Sequence, residues 1–180
     1  MIFFPLQIAI KAGPGADLRL RLAELIRSHH RGLRTHEKRD FWRQAALILS
    51  DATSDASHGI WDFIDNKAEQ EHETWASELE AVATMDFDSE CAHGDYTLVT
   101  FLFLIESGSN AATTLGERCD LPENQWFLRP QFRKLIETPP LLNFTGVLAD
   151  SIYMSPGPDA GGYSLEDLRG EGFDYLKPIR

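Results

Sequence analysis

The residues that could do chemistry in this chain fall into a few groupings, and most of the spacings argue against the chemistry they first bring to mind. Gly13-x-Gly15 follows an apolar run and precedes an amphipathic one, which is half of a dinucleotide-binding fingerprint. Leu18 stands where the third glycine belongs, and Asp17 puts negative charge where a phosphate would sit. A tight turn into a capped helix is expected instead. His29 and His30 are neighbours on a predicted helix, so their rings diverge by about 100°; with His36 they lie among Arg27, Arg31 and Arg34, which repel a cation. Cys91-x-His93 together with Cys119 offers three soft ligands where a structural zinc takes four. The apolar run between them, about 30 Å long if extended, holds the two ends apart. DFDSE, at 86–90, and the wider acidic stretch 62–95 lack the central glycine and spacing of a calcium loop. No metal and no cofactor is expected. No nucleophile elbow, phosphate-cradling Gly-Lys-Ser/Thr or His-Glu-x-x-His occurs.

One constellation depends on strand direction. If strands at 6–11, 96–105 and 144–154 run parallel, the loops 13–16, 106–118 and 155–162 gather at one edge of the sheet, where open parallel sheets bind ligands. Glu106, Ser107, Asn110, Arg118 and Asp159 would then line a cleft for a small molecule. The plainer alternative is that the long 106–127 connection carries a short helix of its own and packs as filler.

The elements that must position these residues are read from periodicity. Between Tyr96 and Ile105 the only polar side chains are two threonines, bracketed by Asp95 and Glu106. A ten-residue run is half of what a helix needs to cross a bilayer, and its Val, Thr, Phe and Tyr content favours a strand buried on both faces. LQIAI, at 6–10, alternates as a half-buried strand. Helices are predicted over 17–29, 38–52, 69–84 and 130–137, a weak strand in GIWDFIDN, and a long strand over 142–156. Ser164 and Asp167 make a capping-box-like start, and the tail FDYLKPI is expected to dock through Phe173, Tyr175 and Ile179. Helices interleaved with few strands predict a single α+β domain over 1–180: a small mixed sheet of three to four strands covered by helices as a two-layer sandwich.

Charge narrows the partners. The net charge of −11 disfavours nucleic acid, whose phosphates call for a basic surface. Residues 1–50 carry nine Lys/Arg against four Asp/Glu, whereas residues 51–96 carry one Lys against thirteen Asp/Glu. Either the two segments pack side by side and neutralise each other, or the basic stretch, with Arg31, Arg34, Lys38 and Arg39, docks an acidic protein or an anionic lipid surface. MIFFPLQIAIKAG lacks a basic start and is broken by Pro5, so it does not read as a signal peptide. Two cysteines are too few for a disulfide scaffold, and a cytoplasmic location is expected.

The pattern of YTLVTFLFLIESG, then PQFRKLIE, then ADSIYMSPGP, SLEDL and a closing YLKPI resembles an uncharacterised domain family known from cyanobacterial and chloroplast membrane proteins. The resemblance spans about residues 95–180, and 5–85 more loosely. It departs from the family pattern at Met154-Ser155-Pro156, where Trp often precedes Thr-Pro, and it lacks the family's membrane segment and low-complexity stretch. The resemblance implies a non-enzymatic or unknown role, near membranes, and carries over no catalytic residue. The first expectation is a non-catalytic protein-interaction module; the alternative is a small-molecule-binding protein or enzyme using the edge cleft.

Overall fold

In a computed structural model that describes residues 1–28, 33–84 and 94–180, five strands and five α-helices follow the described chain, with short 3-10 turns between some of them. They are β1 (Ile2–Lys11), α1 (Asp17–Ser28), α2 (Thr35–Ala52), β2 (Ala56–Trp61), α3 (Ala68–Thr84), β3 (Tyr96–Ile105), α4 (Asn110–Cys119), α5 (Arg129–Ile136), β4 (Val147–Ser155) and β5 (Lys177–Pro178). The fold is α+β, as composition and periodicity predict. The sheet differs from expectation in two respects: it has five strands in the order β4-β3-β1-β2-β5, and every neighbouring pair is antiparallel. It is also covered on both faces, which makes three layers where two were expected.

Both faces of the central strands are buried, β1 included although alternation predicts it half-buried, and this explains why β1 and β3 are apolar apart from Gln7, Thr97, Thr100 and the terminal Lys11. The even residues of β1 (Phe4, Leu6, Ile8, Ile10) and the odd residues of β3 (Val99, Phe101, Phe103) meet α1, α2, α4 and α5 in the main core. Trp42 of α2 is fully buried at its centre, with ring centroids 4.9 Å from Phe101 and 4.6 Å from Phe103. Truncating a ring so enclosed costs about 3–5 kcal/mol. The opposite face carries Phe3, Gln7, Ala9, Leu98, Thr100 and Leu102, and its cover is lighter. One end lies under α3 through Trp75, Ala76 and Leu79. The other lies under the segment 163–176, which Leu168 and Leu176 pin against Ala9 and Leu98.

Serine and aspartate fix that segment locally. The Ser164 amide donates to Asp167 Oδ2 at 2.6 Å and the Asp167 amide to Ser164 Oγ at 3.0 Å, the reciprocal pair expected from sequence, though it opens only a single 3-10 turn, Asp167–Arg169. The 106–127 connection contains α4, capped by Ser109 Oγ accepting from the Ala112 amide at 3.2 Å, so the plainer alternative for this stretch holds. Among the described residues, no helix is long and apolar enough to cross a membrane.

Candidate functional site

Strand direction dismantles the edge cleft. β1 and β4 both run antiparallel to β3, so their C-terminal ends share one edge and that of β3 lies at the other, about 30 Å away along a ten-residue strand. Loops 13–16 and 155–162 do meet: the Gly15 amide donates to the Pro158 carbonyl at 3.1 Å. Asp159 is exposed there, close enough to raise the pKa of buried Arg19 against the larger lowering by burial. Glu106, Ser107, Asn110 and Arg118 belong to the far edge. The Glu106 amide donates to the Gly146 carbonyl, the Arg118 carbonyl accepts from Gln131 Nε2 at 2.8 Å, and Ser107 and Asn110 are exposed. The five residues form no common site.

The predicted partner surface also changes. Lys38 forms an ion pair with Asp150, whose side chain is 2% exposed and also accepts from Trp42 Nε1 at 2.9 Å. Lys38 is thus a structural cation holding α2 to β4, not a free docking residue. Arg34 and Arg39 are exposed, and Arg31 lies outside the described residues. His29, His30, Cys91, His93 and the 86–90 acidic run lie outside them too. Among the described residues, no three His, Cys, Asp or Glu side chains group as a metal site would.

The sheet's lightly covered face holds what the sequence did not disclose. Register sets Gln7 of β1 directly opposite Thr100 of β3, and Thr100 opposite Tyr153 of β4. Gln7 is 3% exposed and Thr100 1%, although both sit mid-strand on central strands where every neighbour could be apolar. They satisfy each other: Gln7 Nε2 donates to Thr100 Oγ1 at 2.7 Å, and the Tyr175 hydroxyl donates to Gln7 Oε1 at 2.8 Å. This polar row is part of the floor of a cavity of about 400 Å³. Trp75 and Glu78 of α3 form one wall; Tyr163, Phe173 and Tyr175 form another. Three of the four tyrosines of the chain, Tyr153, Tyr163 and Tyr175, reach this one space.

Close backbone approach seats the second wall. Gly94 and Gly162 form an antiparallel bridge, and a β-carbon on Gly162 would lie 2.5 Å from the Gly94 carbonyl oxygen, so this crossing needs glycine. It delivers the next residue, Tyr163, whose amide donates to the Tyr96 carbonyl at 2.8 Å and whose hydroxyl is hydrogen-bonded to Ser155 Oγ at 2.9 Å.

Burial raises all three phenols above the ordinary 10 that already leaves them protonated at neutral pH. It pushes Tyr175 up to about 12, helped by nearby Tyr163, Glu78 and Asp174 and opposed by the bond to Gln7. Burial likewise raises Tyr153, with Ser151 opposing and Glu80 assisting, and Tyr163, with Ser155 opposing and Asp167 assisting. A second depression, of about 560 Å³, lies between Trp126 and the β2 end near Cys119. Burial and then Asp62 push that thiol up to about 12, so it stays un-ionised at neutral pH and is no nucleophile.

The chain matches no family model, and no curated protein and no solved structure matches it.

Proposed function

We propose that this protein binds a small organic molecule in the cavity between the sheet and its α3 and 163–176 cover. The observation that carries the reading is the Gln7–Thr100 pair. Two polar side chains are buried in the middle of central strands, at the floor of an aromatic-walled space, where apolar residues would pack as well. A volume of about 400 Å³ falls within the range of small-molecule sites, about 300–1,000 Å³. The groups at hand favour holding a ligand over transforming it. The phenols are kept protonated, and Gln7 and Thr100 donate and accept without titrating. The ligand-binding alternative read from sequence is retained in kind and moved from the sheet edge to the sheet face.

The test is a fragment screen by ligand-observed NMR against the full chain and a Gln7→Leu variant. Fragments that bind the parent chain and are displaced or lost in the variant support the reading. Hits unaffected by Gln7→Leu, or none at millimolar concentration, refute it.

A protein-interaction role is the second reading, and one observation favours it. α3 carries five glutamates and no Lys or Arg, and it lies across the sheet from α1 and α2, so among the described residues these helices do not pack side by side to neutralise each other. Arg34 and Arg39 stay exposed for an acidic protein or anionic lipid surface. Binding that ignores added salt would count against it.

A further inference from the structure

We infer that the cavity's ligand is a free small organic cation, an alkylated or quaternary ammonium compound, held by an aromatic box with a carboxylate at its rim. The inference rests on the small-molecule reading above and names its ligand class.

Three features of the cavity converge on this chemistry. The first is the arrangement of rings. Trp75 meets Tyr175 edge-on (centroids 6.1 Å apart, planes at 72°), Tyr163 meets Phe173 edge-on (5.1 Å, 69°), and Phe173 is tilted against Tyr175 (6.5 Å, 46°). None of these pairs stacks face to face, and all four residues line the same space. Any ring face turned to this space attracts a cation, and a quaternary ammonium group, which has no hydrogen bonds to lose on leaving water, gains most from it.

The second feature is the sign of the surrounding charge. Glu78 lines the cavity, and among the described residues no Lys or Arg does. Glu78 makes no ion pair among the described residues. Glu80, Asp167 and Asp174 act on the same phenols from outside the lining, all in the same direction. An anionic ligand would meet this field with no counter-charge; a cation is drawn in by it.

The third feature is size and polarity. A space of about 400 Å³ holds a whole small molecule rather than one trimethylammonium head, which favours a free compound over a side chain inserted from a partner. Gln7 and Thr100 at its floor, and Tyr175 in the wall beside them, offer neutral hydrogen-bonding groups for a hydroxyl or amide at the ligand's other end.

Isothermal titration of the full chain with choline, with its neutral isostere 3,3-dimethylbutan-1-ol, and with a peptide bearing trimethyllysine tests the inference. Choline is expected to bind at least about tenfold more tightly than the isostere, with Trp75→Leu abolishing the signal. Because Trp75 also packs on the sheet, the exposed Glu78→Gln is the cleaner variant: it should weaken choline several-fold, leave the isostere unchanged and preserve the melting temperature. Equal or tighter binding of the isostere overturns the cation assignment. Binding of the peptide without choline overturns the assignment to a free molecule. If choline fails while neutral fragments bind in a Gln7-dependent way, this inference falls and the small-molecule reading stands; if nothing binds, both fall.

Discussion

Replacing the buried polar pair by apolar isosteres separates what it does for the fold from what it does for the cavity. Gln7→Leu removes two hydrogen bonds and strips the donor from Thr100, which is 1% exposed. The Tyr175 hydroxyl lies at the cavity and can turn to water, so only one orphaned group is costly, and the loss is about 2 kcal/mol. Thr100→Val leaves a Gln7 amide hydrogen facing the cavity and costs about 1 kcal/mol. Acting independently, the two would sum to about 3 kcal/mol, within the 0.3–0.5 kcal/mol to which distant sites add. They are not independent, because each single variant's cost is mainly the abandoned partner. The double variant Gln7→Leu/Thr100→Val abandons neither and is expected to lie within about 1 kcal/mol of the parent, a coupling of about 2 kcal/mol. Urea unfolding followed by tryptophan fluorescence reads all four chains at common slope. Fragment binding on the double variant completes the experiment: a stable fold that no longer binds is expected. A double variant that loses the full 3 kcal/mol would refute the reasoning, because the pair would then be a structural need of the sheet.

Titration gives further expectations. Tyr175 holds its proton more firmly folded than unfolded, so its contribution is complete below pH 10 and is lost as pH climbs through about 12; a phenolate absorbance step for Tyr175, assigned with Tyr175→Phe, near pH 10 would contradict this. His58 and His72 are both held below their ordinary 6.5, His58 by burial and then Arg169, His72 by burial against an opposing Glu73. Each favours the neutral ring, so stability is whole above pH 6.5 and falls as pH drops below it. NMR titration of the two ring protons checks this, and a midpoint at or above 6.5 would overturn it. Cys119, in a Cys91→Ser background, is expected to resist a disulfide reagent at pH 8 until the chain unfolds; labelling at the rate of a free thiol would show the site to be open.

Much of the framework was legible because it rests on local signals. The bounds of β3 follow from its unbroken apolar run, and α1, α2, α3 and α5 from their periodicity to within a few residues. α4 was harder to see: NAATTLGERC is small and polar, and its best signal is the serine cap at 109. Strand direction has no local signature. The long 106–127 connection suits a parallel crossover by its length, yet β3 and β4 pair antiparallel with that whole stretch lying between them. The edge cleft fell for this reason alone. The cavity was illegible for a related reason. Gln7 reads as the polar beat of an alternating strand and Thr100 as a tolerated strand residue; only the Gln7–Thr100 register, set by pairing far apart in sequence, makes them a pair. The one clue available beforehand was the recurrence of tyrosine at 153, 163 and 175 in a chain with four.

The Lys38–Asp150 contact has a bearing on how copies of this chain meet in concentrated solution. Among the described residues β4 is the outermost strand on its side, and the unshared backbone groups of such a strand are a template on which another copy could zip. Asp150 sits at its middle and turns its carboxylate inward beneath α2, where Lys38 and Trp42 hold it. A foreign strand drawing β4 outward would have to pull a charge from its anchor before gaining a ladder. The residue that ties helix to sheet therefore also guards the rim against fibrous stacking.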